Sequence, residues 1–190
     1  MHRGEAPAQG GGRSCGALAR GWGGPYPDPA PIIPAGAVQP TDRGASAMPQ
    51  VTMSTELAAD PNELWKAIGG FAQIADWHPA IERADIEGEE GKKGTIRRLR
   101  LVGGGEIVER LEEISPTERV YRYTIQQGPL PIGSYEAEIR VKDNGDGTST
   151  VEWSSSFEAK GVSDREAVEI IQGIYKAGLD NLAKLYGLKR

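Results

Sequence analysis

A chain of 190 residues with 38% hydrophobic content and a formal net charge of −5 reads as one ordinary globular domain, with no basic footprint for nucleic acid or an anionic membrane surface. No apolar run approaches the roughly 20 residues that span a bilayer. The single cysteine, Cys15, excludes an internal disulfide and a thiolate metal cluster, and two histidines, His2 and His78, leave little material for metal or triad chemistry.

Residues 1–47 carry Gly10-Gly11-Gly12, Gly23-Gly24 and a Pro-rich run from Pro25 to Pro31, without helical or strand period. Such a segment has too little apolar side chain to offset its ordering entropy, so a disordered tail is expected, with the domain at residues 48–190. No apolar core of signal-peptide length follows its first charges, which argues against secretion. Met48 or Met53 is expected to be the biological start; a flexible targeting or partner-binding tail is the alternative.

From Gln50, Val51, Met53 and Thr55 alternate with polar residues, predicting a strand. Asp60-Pro61-Asn62-Glu63 opens a short helix, with Asp60 as cap, Leu64, Trp65 and Ile68 as buried face and Gly69-Gly70 as its end. A second short helix, from Phe71 to Asp76, leads into Trp77-His78-Pro79. Strands are predicted at 81–87, 95–102, 106–114 and 120–126. Two more are marked by Tyr135, Ala137, Ile139 and Val141, and by Val151, Trp153, Ser155 and Phe157. Gly103-Gly104-Gly105 reverses the chain where positive φ is needed, and Asn144-Gly145-Asp146-Gly147 is a strong hairpin signal. Gly128-Pro129-Leu130-Pro131 forbids a regular ladder between its neighbours. The chain closes on a long amphipathic helix, Ser163 to Tyr186. Ser163 and Glu166 form a capping box, and Ala167, Ile171, Ile174, Tyr175, Gly178, Leu179, Leu182, Leu185 and Tyr186 make its stripe. An apolar stripe of that kind needs a packing partner, and the run of strands supplies a sheet. The fold class is α+β: an antiparallel, hairpin-linked sheet closed by helices.

Side chains two apart share a strand face. If Leu99 and Leu101 point inward, so does Arg97; if Ile107 and Leu111 do, so does Glu109. The glycine hairpin makes these strands neighbours, and counting back from it brings Arg97 and Glu109 within reach. In a sealed core the desolvation of such a pair can outweigh its attraction. Two readings stand: a structural pair or water-filled gap, or the polar end of a ligand cavity. Tyr121, Tyr123, Tyr135, Trp153 and Tyr175 bring aromatic surface with polar tips to the same interior. The small residues Ala137, Ser155 and Gly178 among them predict open space between helix and sheet. His78 is expected to be a hydrogen-bonded structural residue. No P-loop, dinucleotide fingerprint or nucleophile elbow is present.

Asp60-Pro61 with Leu64-Trp65, Trp77-His78-Pro79, Val108-Glu109-Arg110-Leu111-Glu112 and Gly178-Leu179-Asp180-Asn181-Leu182, in that order, resemble the START/Bet v 1-like (SRPBCC) helix-grip superfamily. Within it, residues 50–188 resemble the polyketide cyclase/dehydrase and lipid-transport group, relatives of the plant abscisic acid receptors. The resemblance implies a curved antiparallel sheet of about seven strands around the long C-terminal helix. Two short helices follow the first strand, and an apolar cavity lies between helix and sheet. It also implies that Glu109 and Arg97 lie in the pocket, that Gly103, Gly104 and Gly105 correspond to the receptors' gate loop, and that Gly128–Pro131 lies near their latch. Glu82 stands where those receptors carry the lysine for the hormone carboxylate, and the gate's Ser-Gly-Leu-Pro and latch's His-Arg-Leu are absent. Abscisic acid is therefore not carried over.

The residues expected to line the ligand are Trp77, Arg97, Leu99, Leu101, Glu109, Leu111, Tyr123, Tyr135, Ala137, Trp153, Ser155, Ile171, Tyr175, Gly178 and Leu179. The expected function is binding or transport of a small hydrophobic, lipid- or polyketide-like molecule. The alternative is a cyclase/dehydrase with Glu109 or a pocket tyrosine as acid or base, against which a nearby Arg97, lowering the Glu109 pKa, would count. A third reading is a regulatory protein whose loops close over a ligand. No cofactor, metal, nucleic-acid partner or membrane span is expected, and the protein is expected to be cytoplasmic, as a monomer or weak homodimer.

Overall fold

The computed structural model describes residues 48–189, so the expectations for residues 1–47 lie outside the described residues. Seven strands form one antiparallel sheet: β1 (Gln50–Leu57), β2 (Ile81–Glu87), β3 (Ile96–Leu101), β4 (Glu106–Ser115), β5 (Val120–Gln127), β6 (Ile132–Asp143) and β7 (Ser149–Ala159). Their spatial order is β1-β7-β6-β5-β4-β3-β2, so only the pairing of β1 with β7 joins strands distant in sequence. Between β1 and β2 stand α1 (Pro61–Ile68), a 3-10 turn at Phe71–Gln73 and α2 (Ile74–Trp77). The second helix predicted from sequence is thus a 3-10 turn running into a single α turn. The long α3 (Asp164–Tyr186) packs on β1 and β7 and meets α2.

Local chemistry sets these limits. The Asp60 carboxylate accepts from the amides of Asn62 (2.8 Å) and Glu63 (3.2 Å), and Pro61 takes the first helical position, where no amide is needed. Ser163 and Glu166 close a reciprocal capping box at the start of α3, and Gly187 ends it at φ 76°. Beyond that stop, Gly187 and Lys189 hydrogen-bond the main chain of Ala58 and Glu56, tying the chain end to the edge of β1.

Side chains of Ala167, Ile171, Tyr175, Gly178, Leu179 and Leu182 form the buried stripe of α3, facing the inward rows of the sheet. Leu185, expected on this stripe, is 58% exposed. Three residues beyond Leu182 the helix has turned about 300°, which carries Leu185 to the margin of the stripe. Val108, between the inward Ile107 and Glu109, is also buried, at a point where the pairing of β4 with β5 slips by one residue. Leu182 is fully buried and Lys184 exposed. Leu182→Ala is therefore expected to destabilise by about 2–5 kcal/mol, and Lys184→Ala by only a few tenths. Urea melts of the two variants check the phase of the helix; equal losses would reverse it.

Candidate functional site

The β3–β4 register sets Arg97 directly opposite Glu109, with Leu99 opposite Ile107 on the same inward row. Arg97 is wholly buried and Glu109 is 4% exposed. Arg97 Nε donates to Glu109 Oε2, and Nη1 donates to the Phe71 carbonyl at 2.6 Å. The guanidinium also lies over the rings of Phe71, Tyr123 and Tyr121, with centroids at 4.1, 4.8 and 5.8 Å. Those contacts spread its charge over aromatic faces, a partial replacement for water. Burial acts to lower the Arg97 pKa, but the Glu109 carboxylate, with Tyr121 and Tyr123, more than offsets it and holds the group charged. For Glu109 burial is the larger effect and pushes the carboxyl up, against the pull of Arg97. The sequence reading expected Arg97 to dominate and lower it. Full enclosure of the carboxyl, which sequence does not display, reverses the direction.

Around this pair the inward residues build an aromatic layer between the sheet and α3. Trp153 stacks on Tyr175 at 4.1 Å and 15°, and meets Trp77 edge-on at 5.6 Å. Trp153 Nε1 donates to the Tyr123 hydroxyl at 3.0 Å, and the Tyr135 and Tyr175 hydroxyls share a 2.5 Å hydrogen bond. Tyr135 reaches inward beside an irregularity in β6, where Ser134 takes φ 48° and the pairing with β7 slips between Gly133 and Glu136. Burial pushes the phenols of Tyr121, Tyr123, Tyr135 and Tyr175 up, so all four stay protonated at neutral pH. Leu99, Leu101, Leu111, Ala137, Ile171 and Leu179 complete the buried set. Phe71 and Tyr121, absent from the expected lining, belong to it because Arg97 packs against both. Tyr121 was legible from its strand phase, whereas Phe71 enters from a turn that carries no period.

Trp77 and His78 meet α3 at Gly178. A methyl group on Gly178 would stand 2.7 Å from His78, 2.9 Å from Trp77 and 3.2 Å from Trp153. The space expected beside Gly178 is thus filled by three rings, and the glycine serves close packing, not a cavity. Asn181 Nδ2 donates to the Trp77 carbonyl at 2.9 Å, His78 Nε2 lies 3.0 Å from the Ile174 carbonyl, and the Ala80 amide donates to His78 Nδ1 at 3.3 Å. These contacts assign a neutral imidazole with its proton on Nε2.

Burial, followed by the nearby Arg97 charge, moves the His78 pKa below its usual value. Its unfolded state therefore binds a proton first on acidification, and this share of stability is lost as pH falls below about 6.5. The expected slope is up to about 1.4 kcal/mol per pH unit, present in the wild type and missing from His78→Gln. Glu109, whose carboxyl is raised, gives a slope of opposite sign above about pH 4.5, and both proteins share it. Urea midpoints between pH 7 and 5 check this; identical curves would mean that the imidazole titrates freely.

Among the described residues, four buried side-chain atoms have no hydrogen-bond partner: Trp77 Nε1, Arg97 Nη2, Tyr121 Oη and Ser155 Oγ. Ser155 lies near enough to Tyr175 to influence its phenol, yet without hydrogen-bonding geometry. The four come from α2, β3, β5 and β7, all on the side of the sheet facing α3. A cleft of about 320 Å³ is lined by outward residues of the sheet, including Thr52, Glu136, Glu138 and Ser154, together with Ala137 and Ser155 of the inward rows. Its cation, Arg122, is already engaged by Glu113 and Glu138, so the unmet chemistry is inside.

Residues 48–187 match the family model for polyketide cyclase/dehydrase and lipid transport. The chain belongs to this family. Among solved structures, the polyketide cyclase/dehydrase and lipid transport domain is similar to XoxI from Bacillus cereus, at 36% identity and a TM-score of 0.69, over 73% of this chain and 96% of that one. It is similar to a Thermobifida fusca protein at 31% identity and TM-score 0.68, over 74% and 94% of the two chains. The Zhui aromatase/cyclase from Streptomyces sp. R1128, at 19% identity, TM-score 0.60 and coverage of 73% and 93%, shares the fold. Among proteins of curated function none matches. In this family member the Gly103-Gly104-Gly105 loop sits exposed at one end of the sheet, all three residues at positive φ. A methyl group on Gly105 would lie 4.0 Å from Pro129, so this loop and Gly128–Pro131 are neighbours.

Proposed function

We propose that the domain binds a small hydrophobic molecule between α3 and the inward face of the sheet, with Arg97 and Glu109 at its polar end. One observation carries the reading: four polar atoms from four elements are buried there without partners, inside an otherwise apolar and aromatic layer. Native proteins satisfy nearly all buried polar groups, because each one left unmet costs about 1–3 kcal/mol. Gathered on one side of the sheet, these groups offer partners to a polar–apolar molecule or to buried water. Native mass spectrometry of the purified protein is expected to reveal a retained hydrophobic small molecule. Titration with an environment-sensitive apolar probe is expected to give saturable binding that such a molecule displaces. If the protein carries nothing and binds no apolar probe, the interior is core alone.

A second reading, acid–base catalysis on a carbonyl substrate, is favoured by one observation: burial raises the Glu109 carboxyl toward the range where it can hold and release a proton. On that reading Glu109 moves the proton while Arg97 and the unpartnered donors hold the developing oxyanion. Incubation with polyketide-like compounds separates the two. Turnover abolished in Glu109→Gln supports the enzyme; retention without conversion supports the carrier.

A further inference from the structure

We infer that the free edge of β2 takes up a partner protein as an added strand, and that the partner segment is extended and rich in lysine or arginine. β2 ends the sheet on one side and pairs only with β3. The strand at the other side, β1, is covered at its end by the chain's own terminus. There Leu57 bridges Leu188, and Ala58 and Glu56 bond the main chain of Gly187 and Lys189. Beyond Ile81, whose amide donates to the His78 carbonyl, no such cover reaches β2 among the described residues. Its edge-side N–H and C=O groups stand unpaired, the condition in which an edge templates another strand.

A groove of about 460 Å³ follows this edge, between β2 and the segment Phe71–Trp77 that precedes it. Arg83 and Ala84 both line it, although neighbours in a strand point to opposite faces of the sheet. No β3 residue lines it, so the groove runs along the edge and not over a face. Three alanines, Ala72, Ala75 and Ala84, leave room where larger side chains would close it. The cleft on the outward face offers no comparable edge, because β1, β7 and β6 pair with one another beneath it.

Charge selects the occupant. Asp76, Glu82 and Glu90 stand on the groove without an ion pair among the described residues, and its one cation, Arg83, donates to Asp85 at 2.7 Å. Glu82 is also the extra residue of a bulge, since Ile81 faces Leu101 and Arg83 faces Arg100. Charges and bulges of this kind keep an edge from pairing with its own copies. A second copy would bring the same acidic rim and a net charge of −5, which makes it a poor complement. Charge of one sign excludes copies and leaves the edge open to the opposite sign. A lysine or arginine at alternate positions lays its stem on the alanines and its charge against the carboxylates.

A fluorescein-labelled peptide alternating threonine and lysine over roughly seven residues tests this on the full chain. It is expected to bind saturably and to slow hydrogen exchange at those β2 amides that do not bond β3. Replacing its lysines by glutamate, or methylating the amide nitrogens along its pairing edge, is expected to abolish binding. Asp76→Asn/Glu82→Gln/Glu90→Gln keeps side-chain shape at three exposed positions. It is expected to weaken the peptide about tenfold with an unchanged urea midpoint. Equal binding of the methylated peptide would reduce the site to a charged surface and overturn strand addition. Equal binding of the glutamate peptide would overturn the choice of a basic partner. No peptide binding, or an affinity unmoved in the triple variant, would overturn the proposal as well. So would edge-side β2 amides already protected in the protein alone. Protection that rises with concentration gives the edge to a second copy, and protection independent of it gives the edge to a segment of this chain.

Discussion

Gly178→Leu is expected to destabilise the domain by about 3 kcal/mol or more. Two opposing effects act at this position. Replacing a helical glycine gains up to about 1 kcal/mol of backbone entropy, and Gly178 lies well inside α3. Against that, the first added carbon already falls within 3.0 Å of the His78 and Trp77 rings and 3.2 Å from Trp153. Those rings are held from several sides: His78 by Ile174 and Ala80, Trp153 by Tyr175 and Tyr123, and Trp77 by edge contacts with His78 and Trp153. None can swing away without breaking a contact, so overpacking wins. Urea melts of wild type, Gly178→Ala and Gly178→Leu should show stability falling with side-chain size. A Gly178→Leu protein as stable as wild type would mean that the three rings yield into open space, and that a cavity does adjoin the helix there.

Gly178 also marks the boundary of what the sequence makes legible. Strand period two and helix period 3.6 depend only on neighbours along the chain. They predicted seven strands in order, α3 with its N-terminal capping box, and the facing of Arg97 and Glu109 across a three-glycine hairpin. What a glycine on a buried helix face adjoins depends on chain some hundred positions away. Trp77-His78-Pro79 and Gly178-Leu179-Asp180-Asn181-Leu182 are separate signatures in the sequence and one packed joint in the fold, through Gly178 against the rings and Asn181 on the Trp77 carbonyl. The direction of the Glu109 pKa stayed illegible for a related reason. Pairing with Arg97 follows from register, whereas the desolvation that outweighs it follows from everything stacked above the sheet. Hydrogen-bond saturation is likewise a property of the assembled interior, so the four unpartnered atoms left no trace in the sequence.

Removing Glu109 alone is expected to be among the most damaging single changes in the domain. Glu109→Leu fills the same space with apolar atoms but leaves Arg97 charged, wholly buried, and held only by the Phe71 carbonyl and three ring faces. A buried pair broken on one side costs about 3–5 kcal/mol, chiefly the desolvation of the charge left behind. Arg97→Met should cost a comparable amount, since it strands the Glu109 carboxyl and empties the aromatic cage. The double variant Arg97→Met/Glu109→Leu should recover most of either loss, because replacing both partners removes two desolvation penalties together with one attraction. Chemical denaturation of the three proteins at pH 7 closes the cycle. A double variant near wild-type stability would mean that the pair adds little to folding, and that its place in the interior answers to what the interior binds. A double variant as unstable as either single variant would instead make the pair an ordinary structural tie, and would remove Arg97 and Glu109 from the candidate site.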